Sequence, residues 1–145
     1  MPTMRDMIRR KGNEVYSILP DAPVYEALTI MAKHNVGALM VISGTKVEGI
    51  LSERDCVRKV ELEGKAVKIV KVSEIMTRNL ISVQAGQELE ECMSVMIEKN
   101  IRHLPVFDGN DLLGLISIRD VLREVVEVQK VMIAQLEHYI HGDGR

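Results

Sequence analysis

Displacing the sequence by 65 positions lays residues 15–60 over residues 80–125 without a gap, and 13 of the 46 columns are identical. Ordinary composition gives about three such coincidences by chance, so the chain is a duplication. A unit of roughly 46 residues buries too small a fraction of its surface to be stable alone. The two copies are therefore expected to close a common core across a pseudo-twofold axis, with a cleft between equivalent edges where a small ligand can settle.

Each copy opens with a short extended segment, 15–19 or 80–84. A turn and an amphipathic helix follow, marked by Val24, Ala27, Leu28 and Met31 or by Leu89, Cys92, Met93 and Met96. That spacing puts one apolar stripe on one helix face, and Pro23 suits a first helical turn. Apolar runs at 38–42 and 104–107 then lead through Gly44 or Gly109 into second strands at 47–51 and 112–116, which reads as a hairpin. A last helix starts at Ser52 or Ser117 and in the second copy runs to about His141. The expected fold is α+β: two βαββα motifs packed as one module, at 8–63 and 73–127, with a C-terminal helical extension at 128–145.

The most informative motif is Gly49-Ile-Leu-Ser-Glu-Arg-Asp55, echoed as Gly114-Leu-Ile-Ser-Ile-Arg-Asp120. Part of it is a capping box, in which Ser52 or Ser117 caps the helix and the acid three residues on reaches back. That accounts for the serine and the acid, but not for glycine and arginine at fixed offsets. Free N–H groups at a helix start suit phosphate, and a neighbouring carboxylate accepts both hydrogens of a ribose diol. Ser52, Arg54 and Asp55, and likewise Ser117, Arg119 and Asp120, match the polar parts of a nucleotide. Gly37, in the linker Asn35-Val-Gly-Ala-Leu39, reads either as a helix C-cap or as a point of close approach. Arg102 and His103 add positive charge to the matching linker of the second copy only.

Composition narrows the classes. With 19 Lys and Arg against 21 Asp and Glu the net charge is −2, and no basic stripe is available for a nucleic-acid backbone. No segment approaches the ~18 apolar residues of a membrane span, and the cytoplasm is expected. Cys56 and Cys92 have no ligand spacing and read as buried free thiols. His138 and His141 suit the C-terminal end of a helix rather than a metal. No nucleophile with a base, no acid and base pair and no metal cluster has convincing spacing, so the chain reads as a non-enzyme.

The repeat order, the NVGAL and NIRHLPV linkers and the GILSERD and GLISIRD motifs together resemble a tandem cystathionine β-synthase (CBS) domain pair, or Bateman module, over nearly the whole chain. The tail LEHYIHG is similar to that of stand-alone bacterial CBS-pair proteins, some of which bind AMP and a nicotinamide dinucleotide. The resemblance implies a disc-like homodimer that senses adenine nucleotides (AMP, ATP or NAD(H)), carries no catalytic cofactor and acts on an unidentified effector protein. It further implies that the motif aspartate of one copy holds ribose while the first strand of the other contacts adenine. One cleft would then use Ser52, Arg54 and Asp55 with Ile81, Ile101, Arg102 and His103. The other would use Ser117, Arg119 and Asp120 with Tyr16, Val36, Gly37 and Ala38. Lys11 and Thr77 lie where the family often contacts purine or phosphate. The hairpin departs from the family's Leu-Pro in the first copy, which has Leu39-Met40 where the second has Leu104-Pro105. The rival reading is a ligand-free dimerisation scaffold.

From Val121 onward Leu122, Val125, Val128 or Gln129, Met132, Leu136 and Tyr139 recur at near-heptad spacing. This stripe passes the end of the repeat and needs a partner: either it folds back on its own domain or, as the favoured expectation, it packs on the same helix of a second chain. Glu124, Glu127 and Glu137 on its polar face argue against a membrane surface.

Overall fold

The computed structural model describes residues 1–12 and 14–141, and in both copies the expected strand, helix, hairpin and helix follow in order. Asn13, inside the expected first repeat, and 142–145, the end of the expected extension, lie outside the described residues. The architecture is mixed α+β with two three-stranded sheets.

One compact unit is Glu14–Ile81. Its sheet has the order β1 (Ser17–Ile18), β2 (Ala38–Ser43), β3 (Lys46–Ser52), with β1 parallel and β3 antiparallel to β2. Helix α2 (Val24–His34) buries Val24, Ala27 and Met31, the stripe its periodicity marks. These meet Leu39 and Val41 of β2 and Leu51 of β3 in a core with Cys56, Val60, Val72 and Ile75. After β3 come α3 (Glu53–Cys56), a π-helical turn at Val57–Glu61, and the short α4 (Val72–Ile75).

The other unit joins Met1–Asn13 to Ser82–Arg145. Its sheet is β4 (Val83–Gln84), β5 (His103–Asp108), β6 (Asp111–Ser117), with the same parallel and antiparallel pairings. Helix α5 (Leu89–Lys99) packs Leu89, Cys92 and Met96 inward, and α6 (Ile118–Ile140) follows β6 directly. The core is completed by α1 (Met4–Lys11), whose Met4, Met7 and Ile8 are all buried. Each such side chain contributes about 1.5–3 kcal/mol. Sequence reading did not foresee α1, although Thr3 and Asp6 form a capping box ahead of Met7-Ile8.

Several details differ from expectation for identifiable reasons. The first strands are two residues long rather than five. The β4 ladder keeps the register of β1, Val83 with Val106 as Ile18 with Val41, but starts one residue later, without an equivalent of the Ser17–Met40 pair. Met40 donates its N–H to Tyr16 O at 3.2 Å, whereas Pro105 stands at the equivalent position and has no N–H to give. Pro23 is the N-cap of α2 rather than a residue of its first turn. The C-cap of α2 is not Gly37 but Asn35, in the left-handed region at φ 52°, and Asn100 caps α5 with the same angle. Asparagine tolerates that conformation as glycine does, which explains why the pair Asn35/Asn100 is identical between copies. The hairpins turn through Gly44 and Gly109, both at φ 62° in the first loop position, where a two-residue turn of type II′ needs glycine.

Both motif glycines serve close packing. A Cβ on Gly49 would lie 2.5 Å from the carbonyl oxygen of Thr77, and one on Gly114 would lie 2.5 Å from Cδ1 of Ile8. The first obstacle is backbone, tied in place because Ile50 and Thr77 exchange both N–H···O bonds at 3.0 and 2.9 Å. The second is the free end of a side chain. Gly49→Ala is therefore expected to cost about 1–3 kcal/mol and Gly114→Ala distinctly less, measured by urea denaturation. Equal losses at the two positions would contradict this account.

Candidate functional site

The two Ser-x-Arg-Asp corners are built alike. As β3 ends, Ser52 keeps extended backbone and its Oγ accepts from Asp55 N at 3.1 Å. The Asp55 carboxylate accepts in return from Ser52 N and Ser52 Oγ, both at 3.0 Å. At the start of α6, Ser117 Oγ accepts from Asp120 N at 3.2 Å, and Asp120 Oδ2 accepts from Ser117 N at 2.8 Å and Ser117 Oγ at 2.9 Å. The capping box is thus complete in both copies, each contributing about 1 kcal/mol. Neither carboxylate stands out on the surface, since the side chains are only 17% and 14% exposed.

The helix-to-hairpin linkers come to these corners through the backbone. Glu53 donates its N–H to Gly37 O at 3.0 Å, and Ala38 pairs with Ser52 across the hairpin. Ile118 donates to Arg102 O at 2.8 Å, and His103 pairs with Ser117. The Glu14–Ile81 unit therefore gathers Gly37, Ala38, Ser52 and Asp55, with Thr77 on the adjacent Ile50. Val36 is half-buried beside Gly37, Arg54 is half-buried on α3, and Ile81 is exposed at the unit's end. Tyr16 stacks on His34, ring centroids 3.9 Å apart. Its hydroxyl donates to Glu14 at 2.9 Å, which pushes its pKa up. The other unit gathers Arg102, His103, Ser117, Asp120 and Lys11; Ile101 is half-buried, and Arg119 is exposed.

Charge distinguishes the corners. Lys11 Nζ donates to Leu115 O at 2.7 Å and to Asp120 Oδ2 at 2.6 Å. Burial would raise the Asp120 pKa, but the bond from Lys11, those from Ser117 and the Lys11 charge together hold it below the usual carboxylate value. Position 76, which the repeat offset sets against Lys11, holds buried Met76. The cation near Asp55 is instead Lys59, whose Nζ lies 3.2 Å from Oδ1 and donates to Ile75 O at 3.0 Å. Sequence reading missed Lys59, although the i,i+4 spacing on one helix face was there to be read.

Asp120 opens onto a groove of about 690 Å³ lined by α1 and α6, with Met7, Val128 and Met132 as apolar lining and Lys11, Arg10 and Arg123 as cations. Arg10 is paired with Glu124. Cys56 and Cys92 are free and buried, and burial pushes both thiols up to about 11, so they stay protonated and unreactive at neutral pH. Among the described residues no group of three or more His, Cys, Asp or Glu is placed to hold a metal. None of the described helices is long and apolar enough to cross a membrane.

A duplicated α+β chain whose strand-to-helix corners each present a capped, half-hidden aspartate defines a class of paired module. Residues 4–62 and 72–127 match the CBS domain, and the chain belongs to that family. It is 35% identical over 149 residues to the CBS domain-containing protein CBSX3, mitochondrial, of Arabidopsis thaliana, covering 97% of this chain and 72% of that protein. The crystal structure of the CBS domain protein NE2398 is 41% identical and superposes with a TM-score of 0.82, over 86% of this chain and 97% of that one. The CBS domain pair of MJ0100, solved in complex with 5′-methylthioadenosine and S-adenosyl-L-methionine, shares the fold at 22% identity, with a TM-score of 0.76 over 88% and 98% of the two chains.

The sign of the Asp120 linkage sets a pH dependence. A carboxylate with a lowered folded-state pKa stabilises the fold above its unfolded value of about 3.9, and that contribution is lost as pH falls through the folded value. Lys11→Met should therefore flatten the fall in melting temperature between about pH 5 and pH 2. An acid limb identical to that of the unaltered protein would show that Lys11 does not hold Asp120 ionised.

Proposed function

We propose that the chain is a non-enzymatic, cytoplasmic sensor of adenine nucleotides (AMP, ATP or NAD(H)), working as a homodimer and relaying energy state to a separate effector protein. The observation that carries the reading is the pair of repeated corners: two carboxylates held in one orientation by serine, largely hidden from solvent, and each within reach of a lysine. A carboxylate fixed in this way accepts the two hydroxyls of a ribose, and a neighbouring cation meets the phosphate. Asp55 and Asp120 take the ribose role; Arg54, Arg119, Arg102 and Lys11 serve the phosphates. Tyr16, Val36, Gly37, Ala38, Thr77, Ile81, Ile101 and His103 are assigned to the purine end and Ser52 and Ser117 to the sugar. Family membership supports a regulatory role, and the adenosyl ligands of MJ0100 support the class of small molecule. A ligand then signals only through different affinities for two states of the module.

Thermal melting with AMP, ATP and NAD(H) tests this, because a ligand bound by the folded form raises the melting temperature by mass action. Asp55→Ala and Asp120→Ala each remove the reciprocal half of a capping box and lower the baseline by up to about 1 kcal/mol, so each response is read against the variant's own baseline. Each substitution should abolish part of the nucleotide-induced shift. No shift with any nucleotide would favour the ligand-free scaffold, and full shifts in both variants would remove the ribose assignment.

A further inference from the structure

Helix α6 carries two apolar faces, and only one of them is used by its own unit. Val121 and Glu124 are buried and Val125 and Val128 half-buried, forming the inward face, while every residue from Gln129 to His141 is exposed. The second face is Leu122, Val126, Gln129, Ile133, Leu136 and Ile140, which alternate spacings of four and three. Its apolar members are 47–74% exposed. Written as a heptad, the a positions are Val126, Ile133 and Ile140 and the d positions are Leu122, Gln129 and Leu136. Branched residues at a with leucine at d favour a parallel two-stranded coil.

We propose that this face is a docking surface for the same helix of a second copy of the chain, in a parallel coil registered by Gln129 against its counterpart. The inference deepens the homodimer reading by giving its contact, orientation and register, and it is independent of nucleotide binding. The stripe exposes on the order of 500 Å² per chain, the size of the largest and often functional apolar patch of a monomer. Two copies together reach the ~1,000 Å² that a specific interface needs.

Polarity decides the orientation. In a parallel coil the layers are like on like, and the two Gln129 amides hydrogen-bond each other. An antiparallel coil would set each Gln129 against Ile133 and leave two amides unsatisfied, which outweighs a rim pairing of Arg123 with Glu137 that exposed ions make only weakly. The antiparallel form would also bring Lys130 against its own copy.

Sedimentation velocity of the full chain at about 50 µM should show a dimer, and Ile133→Asp combined with Leu136→Asp should weaken it about tenfold or more. Both positions are exposed, so the unit itself should keep its fold, checked by far-UV circular dichroism. Cys56 and Cys92 are buried, so an introduced thiol reports alone: Gln129→Cys and Leu136→Cys should each give disulfide-linked dimers on mild oxidation. A monomeric unaltered chain would end the homodimer reading together with this one. A dimer that survives the double aspartate substitution would end the coil alone. Crosslinking only on mixing Gln129→Cys chains with Ile133→Cys chains would overturn the parallel register.

Discussion

The reciprocal bonds between a serine and the aspartate three residues later set the corner at which each sheet hands over to its last helix. They end the last strand of each sheet, start the helix that follows and fix the carboxylate in one rotamer. Because the hairpin register sets Ala38 beside Ser52 and His103 beside Ser117, the same bonds locate the linker from the preceding helix. A group that serves a cap is also pre-organised for a ligand, since no further ordering is required when one arrives.

Much of this was legible in the chain itself. Identical spacing in two copies disclosed the repeat, the 3.6-residue periodicity disclosed α2 and α5, and the glycine turns disclosed the hairpins. What escaped notice was set by tertiary context. The short first strands depend on which backbone groups find partners, and the helix C-caps fell to Asn35 and Asn100 because a residue with φ above zero is not marked by hydropathy. The capping box left Gly49 and Gly114 unexplained, and their constraint is the packing of Thr77 and Ile8. Helix α1 was readable from its capping box, but its three buried side chains are too few to form a convincing stripe.

Duplication did not leave the corners equivalent. At one, Lys11 sits on the aspartate and lowers its pKa; at the other, the matching position is a buried methionine and a lysine from the following helical turn stands in. Pro105 against Met40 removes one sheet bond from one copy only. These differences leave the backbone scaffold shared while changing the charge met by anything that reaches each aspartate.

The segment ahead of each copy's first strand belongs to the core of the other copy's sheet. Met4, Met7 and Ile8 belong to the core that contains β4 to β6, while Val70, Val72 and Ile75, from the matching stretch before the second copy, belong to the core that contains β1 to β3. The leaders are exchanged. A single copy with this layout, cut from the other, would leave its core short of a leader. Joining both copies in one chain supplies each core with its leader at a fixed one-to-one ratio.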